Sequence, residues 1–229
     1  MAMQQYDLQE QEQLATLKHF WDRWGNLISA ALLAIVAVVA GLNGYQYWQR
    51  SQAAKAAVLY DQVLQATVQN QQAVVQQSLQ ALQQSFPKTA QASQATLLAG
   101  KHLVQQQDWA AAEQAFDWLA RHSKDEGFKA LAVLHKASVQ MQQEQGEQAL
   151  AALDAHSFPY EFRPLRDDRR GDILLGQGKT QEAISAYQAA FDGLGPFSHY
   201  RSVVQSKLTA LGQQPAAAAQ APAAAGSSS

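Results

Sequence analysis

GDILLGQGKTQEAISAY, residues 171–187, decides the fold. Gly171 is followed after eleven residues by Ala183, and Tyr187 stands four positions beyond that alanine. The turn signal Gly178-Lys179-Thr180 separates two stretches of helical apolar spacing, so the segment reads as helix, turn, helix. The same arrangement occurs twice upstream, as Gly100-x11-Ala112-x3-Phe116 and Ala137-x11-Ala149-x3-Leu153, with the alanines 37 and 34 residues apart. A small residue in the first helix of each pair lets the second helix approach, the alanine is its matching contact, and the large residue fills the space between neighbouring pairs. Turns are expected at Gln107-Asp108 and at Glu144-Gln145-Gly146, with Asp108 and Thr180 as N-caps. Pro159 and Pro196 close the second and third pairs. Ala183→Trp should therefore overfill a helix contact and destabilise the fold by about 1–3 kcal/mol.

A helix-turn-helix period of roughly 34 residues with this Ala-x3-aromatic pattern is the tetratricopeptide (TPR) signature. The competing reading is a helical bundle with coincidental spacing. Heavy use of glutamine and alanine, with β-branched runs and NG or DG hairpin signals nearly absent, agrees with helices throughout. Upstream, Ser51 to Gln69 is predicted as helix, with Ala54, Val58, Leu59 and Val63 at helical spacing. A second helix from about Gln71 should carry Val74, Val75, Leu79 and Leu82 on one face and stop before Phe86-Pro87. The expected fold class is all-α: a single N-terminal transmembrane helix followed by a TPR-like solenoid of helical hairpins.

The transmembrane expectation rests on Trp24 to Trp48. No charged side chain lies between Arg23 and Arg50, and the centre, Leu27 to Leu42, reads LISAALLAIVAVVAGL. A bilayer core of about 30 Å needs roughly 20 apolar residues in helix. Trp21 and Trp24 would sit at one interface and Tyr45, Tyr47 and Trp48 at the other, as an aromatic belt. A cleaved signal peptide is the rival reading, but its leading segment should be short and basic. Here 23 residues precede the run, with Asp7, Glu10, Glu12 and Asp22 against Lys18 and Arg23. Lys18 and Arg23 before the span balance Arg50 and Lys55 after it, so charge leaves the orientation open. Leu14, Leu17, Phe20, Trp21 and Trp24 make an apolar stripe, read as a helix entering the membrane or as a docking helix. The expected organisation is an arm (1–24), a span (25–48), a repeat domain (49–212) and a disordered Ala/Pro tail (213–229).

The chemistry is sparse. A net charge of −2 gives no reason to expect nucleic acid. The chain has 0 cysteines, which removes disulfides and thiolate chemistry. There is no phosphate-binding glycine loop, HExxH or GxSxG, and the histidines show no i, i+4 pair. No catalytic residue, metal site, cofactor or small-molecule substrate is expected. The densest charge run is Arg163 to Asp172. Asp168 and Asp172 share a helical face, as do Arg166 and Arg170. Acid–base catalysis is one reading of the carboxylates, and a solvated face with internal ion pairs is the other.

A TPR array instead offers a concave face built from the first helix of each pair. The repeat register assigns its lining to Gln94, Leu97, Lys101, Val104 and Gln105, then Leu131, Leu134, Ser138, Met141 and Gln142, then Leu165, Asp168, Asp172 and Leu175. This lining lacks the several cations that grip a terminal carboxylate and suits an apolar helix or an unfolded segment. The other reading packs some of these leucines against a neighbouring repeat. On the groove reading, Leu134 and Met141 should tolerate aspartate without loss of helicity.

The arm ends Leu17-Lys18-His19-Phe20-Trp21-Asp22-Arg23-Trp24-Gly25-Asn26, the span exits through Gly44-Tyr45-Gln46-Tyr47-Trp48, and the third repeat carries Asp168-Arg169-Arg170-Gly171-Asp172-Ile173-Leu174-Leu175-Gly176-Gln177-Gly178-Lys179. In these segments the chain resembles the YfgM family, ancillary subunits of the bacterial SecYEG translocon. The resemblance covers the chain to about Leu211. It implies a type II inner-membrane protein with a cytoplasmic N-terminus and a periplasmic TPR domain. Its implied partners are SecYEG, the membrane-anchored periplasmic chaperone PpiD and the lipid bilayer, with a part in handing translocated proteins to chaperones. A membrane-anchored TPR scaffold for envelope assembly and a cleaved periplasmic TPR protein remain as alternatives.

Overall fold

A computed structural model describes residues 3–213, with side chains from Lys18 onward. Nine α-helices and one 3-10 turn account for the regular structure of these residues, and no strand occurs among them. The helices are α1 (Met3–Val68), α2 (Gln72–Ser85), α3 (Ala90–Gln105), α4 (Trp109–His122), α5 (Glu126–Gln142), α6 (Gly146–Ala155), α7 (Arg163–Gly176), α8 (Thr180–Gly193) and α9 (His199–Ala210), with the 3-10 turn at Tyr160–Phe162 before α7. The chain divides into two units, Met1–Gln52 and Ala53–Ser229. Leu14 and Leu17 of the expected N-terminal stripe, and the expected tail beyond Gln213, lie outside the described side chains.

The first unit is the earlier part of α1. From Leu27 to Leu42 every side chain is exposed except the half-buried Ile28. Apolar side chains turned outward all round a helix are the mark of a segment solvated by something other than water. Trp21 lies over Gly25, its ring 3.2 Å from where a Cβ would stand. Tyr45 and Trp48 stack with ring centroids 6.1 Å apart.

The second unit is a solenoid of hairpins. A Cβ on Gly100 would stand 2.6 Å from the Phe116 ring, and one on Gly171 would stand 2.5 Å from the Tyr187 ring. Glycine is therefore required at both sites by close approach. Ala112, Ala149 and Ala183 are fully buried, with Phe116, Leu153 and Tyr187 beside them. Each pair thus closes through the small-residue contact expected from the spacing. First helices also pack on first helices, α3 on α5 and α5 on α7.

One turn geometry marks every first helix. Asn70, Gln107, Glu144, Gly178 and Gly212 all have positive φ, at intervals of 37, 37, 34 and 34 residues. The amide after each donates to the carbonyl five residues back: Gln71 to Ala66, Asp108 to Leu103, Gln145 to Gln140, Lys179 to Leu174 and Gln213 to Leu208. This is the Schellman closure of a helix C-terminus. The end of α1 and α2 therefore form a hairpin ahead of the three read from sequence, and α9 is a fifth first helix, with no second helix after it among the described residues.

Some local expectations shift. Asp108 caps α4, accepting from the Ala111 amide at 3.2 Å. Thr180 does not cap α8: it is the first helical residue, because Gly178 and Lys179 are both used in closing α7. Val58 and Val74 are exposed, and so is Ala54. The buried stripe of α1 runs instead through Ala56, Val63 and Ala66, with Leu59 and Tyr60 half-buried beside it, against Val75, Leu79 and Leu82. The actual phase is the one that faces both α2 and α3.

Candidate functional site

The row of first helices α3, α5 and α7 carries the expected groove residues. Lys101 and Leu175 are exposed, as are Gln94, Gln105 and Gln142. Leu97, Val104, Leu131, Ser138, Met141, Leu165 and Asp172 are half-buried. Leu97 and Val104 pack against the Phe116–Leu119 core, and Met141 and Leu165 against the core of the last two pairs. The Ser138 hydroxyl donates to the Leu134 carbonyl at 2.9 Å.

Two residues stand elsewhere than expected. Leu134 is only 7% exposed and belongs to the core around Tyr187, and Asp168 is 1% exposed. Neither lines an open surface. Aspartate at Leu134 would bury a charge and unfold the unit rather than spare its helicity. Leu134 is closed over because a short array packs this position against its neighbours.

Asp168 is held by α9. Lys207 Nζ reaches both carboxylate oxygens of Asp168, at 2.8 and 2.9 Å, and Oδ1 of Asp172 at 2.6 Å. The Tyr200 hydroxyl donates to Asp168 at 2.6 Å and the Tyr187 hydroxyl to Asp172 at 2.8 Å. Burial, then the hydrogen bond to Asp172, pushes the Tyr187 phenol well above its ordinary range. Burial and the bond to Asp168 do the same to Tyr200. Both hydroxyls therefore stay protonated as donors. The expected internal ion pairs of the 163–172 run are present as Arg166–Asp167 and Arg169–Asp172, but others leave the run. Arg170 bonds Asp154 of α6, and Arg166 bonds its neighbour Asp167 at 2.6 Å. The run ties helices together and is not merely a solvated face. Nothing in its own sequence points to Lys207 and Tyr200. The signal was the next period, which places α9 beside α7.

A second feature of the row is the half-buried imidazole of His135. His135 stacks on Phe116, centroids 5.2 Å apart. Burial first, then the charges of Lys101 on α3 and Arg169 on α7, lowers its pKa to about 4. The His135 imidazole is therefore neutral at physiological pH. No cluster of three or more metal-capable side chains occurs among the described residues.

A family model described as a tetratricopeptide repeat-like domain matches residues 18–213. The chain is 34% identical over 205 residues to a protein of Neisseria gonorrhoeae named ancillary SecYEG translocon subunit, covering 89% of this chain and 98% of that one. It is 29% identical over 188 residues to a Haemophilus influenzae protein of the same name, covering 81% and 90% of the two chains. A third protein so named, from Aggregatibacter actinomycetemcomitans, is 27% identical over 209 residues, covering 90% and 99%. The matches run across the apolar segment and the repeats together, and with them the chain belongs to the YfgM family of tetratricopeptide repeat-like proteins.

Proposed function

We propose that this protein is a non-catalytic ancillary subunit of the SecYEG translocon. One uncleaved span at about residues 25–48 anchors it in the bacterial inner membrane, with the N-terminus cytoplasmic and the repeat domain periplasmic. There it binds partner proteins and, with PpiD, assists the handover of translocated chains to periplasmic chaperones. The observation that carries this reading is near full-length similarity to three translocon subunits, apolar segment included. The outward-facing apolar helix of the first unit supports the anchor. A tether beside a channel raises the effective concentration of the repeats for anything that emerges. Partner contact is assigned to the open Lys101 and Leu175 of the first-helix row, flanked by the half-buried Leu97, Val104, Leu131, Ser138 and Met141.

Affinity purification in mild detergent tests the assembly: SecY should co-purify, and PpiD with it. A preparation that retains the anchored chain but neither protein would sink the translocon reading and leave the envelope scaffold. Protease added to spheroplasts should degrade the domain beyond Arg50, whereas full protection would reverse the orientation. Photo-crosslinkers at Lys101 and Leu175 should capture translocon or client protein. Capture only from the second helices would move the site to the other face.

A further inference from the structure

The two ends of the repeat unit differ in chemistry. All five first helices run in one direction, since each ends in the same closure and short hairpins join them. The closing turns are Gln69-Asn70-Gln71, Gln106-Gln107-Asp108, Gln143-Glu144-Gln145, Gln177-Gly178-Lys179 and Gly212-Gln213: polar, and without an aromatic residue. The opposite end carries Phe86-Pro87-Lys88, Ser123-Lys124-Asp125, the stretch from His156 to Phe162, and Leu194-Gly195-Pro196-Phe197-Ser198. Phe86, Phe158 and Phe162 pack inward. Phe197 is 94% exposed and Tyr160 is 72% exposed. Lys88, Lys124 and Arg163 are exposed at the same end, balanced by the exposed Asp125, Glu126 and Glu161, and the Arg163 guanidinium stands 5.9 Å from the Tyr160 ring centroid.

The chain enters the unit at this aromatic end. Ser78 donates to Gln62 around the turn at Asn70, so the start of the α1 portion lies beside Phe86. Only five peptide steps separate Trp48 from Ala53. Whatever their conformation, they reach at most about 17 Å. An exposed tyrosine with its amphipathic ring belongs at a headgroup boundary, and an exposed phenylalanine beside it leaves water there.

We propose that the loop end of the repeat unit rests on the bilayer surface, with Phe197 and Tyr160 in the interfacial region and Lys88, Lys124 and Arg163 within reach of lipid phosphates. The inference rests on the reading of residues 25–48 as a span. It makes the unit lie against the lipid on a defined end and leaves the glutamine-rich turns in water.

The cysteine-free chain makes the test direct. Full-length single-cysteine variants Phe197→Cys, Tyr160→Cys, Glu144→Cys, Gln106→Cys and Val39→Cys are labelled with an environment-sensitive fluorophore in phosphatidylethanolamine–phosphatidylglycerol liposomes. Lipids carrying a headgroup-depth nitroxide should quench the labels at 197 and 160 several-fold more than those at 144 and 106. Equal quenching at the two ends, with Val39→Cys quenched by a deep nitroxide, overturns the proposal and leaves the span standing. An unquenched label at 39 overturns the span reading and this inference with it.

Discussion

Leu134 and Asp168 occupy the same position in successive first helices, three residues before the small residue of each repeat, and both are buried. One is covered by apolar side chains of the core around Tyr187. The other is covered by a lysine and a tyrosine from the last helix. The comparison teaches that the position is closed by the array's geometry, whatever it holds. Its residue is then tuned to what lies next door. In the middle of the array the neighbour is core. Beside α7 it is α9, fastened by ions and hydroxyls as well as by Val204 and Leu208.

The strongest way to break this comparison is Lys207→Met. It leaves Asp168 buried without its cation and should destabilise the repeat unit by about 3 kcal/mol. The double variant Asp168→Leu with Lys207→Met should recover most of that loss, because it gives the third repeat the chemistry of the second. Urea unfolding followed by circular dichroism in detergent reads both, and additive losses would show that the ion cluster is not a unit. Leu134→Ala should cost about 2–4 kcal/mol through its cavity. A loss under about 0.5 kcal/mol would mean an exposed position. Gly171→Ala forces a methyl group into the Tyr187 ring and should cost about 1–3 kcal/mol. A variant that melts like wild type would show that the rings can move aside.

His135 sharpens the comparison by pH. Its folded pKa lies near 4, below the ordinary 6.5, so the unfolded chain binds its proton first. The imidazole's contribution is fully present above about pH 6.5 and is lost as pH falls toward 4. With screening at a partly exposed site, the swing should be about 1–2 kcal/mol. The stability difference between wild type and His135→Gln, measured across that window, should shrink with acid. A flat difference would place the imidazole in water. The smallest effect belongs to Leu175→Ser: an exposed position should shift stability by less than about 0.5 kcal/mol. A large loss there would mean that it too is closed over.

The repeat register was legible because it depends on residues close in sequence. Gly171, Ala183 and Tyr187 must meet if two helices are joined by a short turn. The five equal helix ends were less legible. Glycine and asparagine advertise a left-handed residue, but Gln107 and Glu144 do not, and they take that conformation because the next helix must start there. The groove was the least legible part. Its lining followed from a pattern that describes long superhelices, and half of those side chains are partly covered in this short array. The buried state of Asp168 depends on Lys207, 39 residues away.

The sequence by itself determined the apolar uncharged run with its aromatic flanks, the hairpin period and the small-residue contacts. Each of these is a local matter of hydrophobic pattern, helix geometry and side-chain volume. Only the tertiary structure decided which faces of the first helices remain open, that α9 completes the row, and that the aromatic loops gather at the end where the chain enters the unit. Those outcomes depend on how successive hairpins stack. Stacking is settled by packing between residues one or more periods apart, which no local pattern encodes.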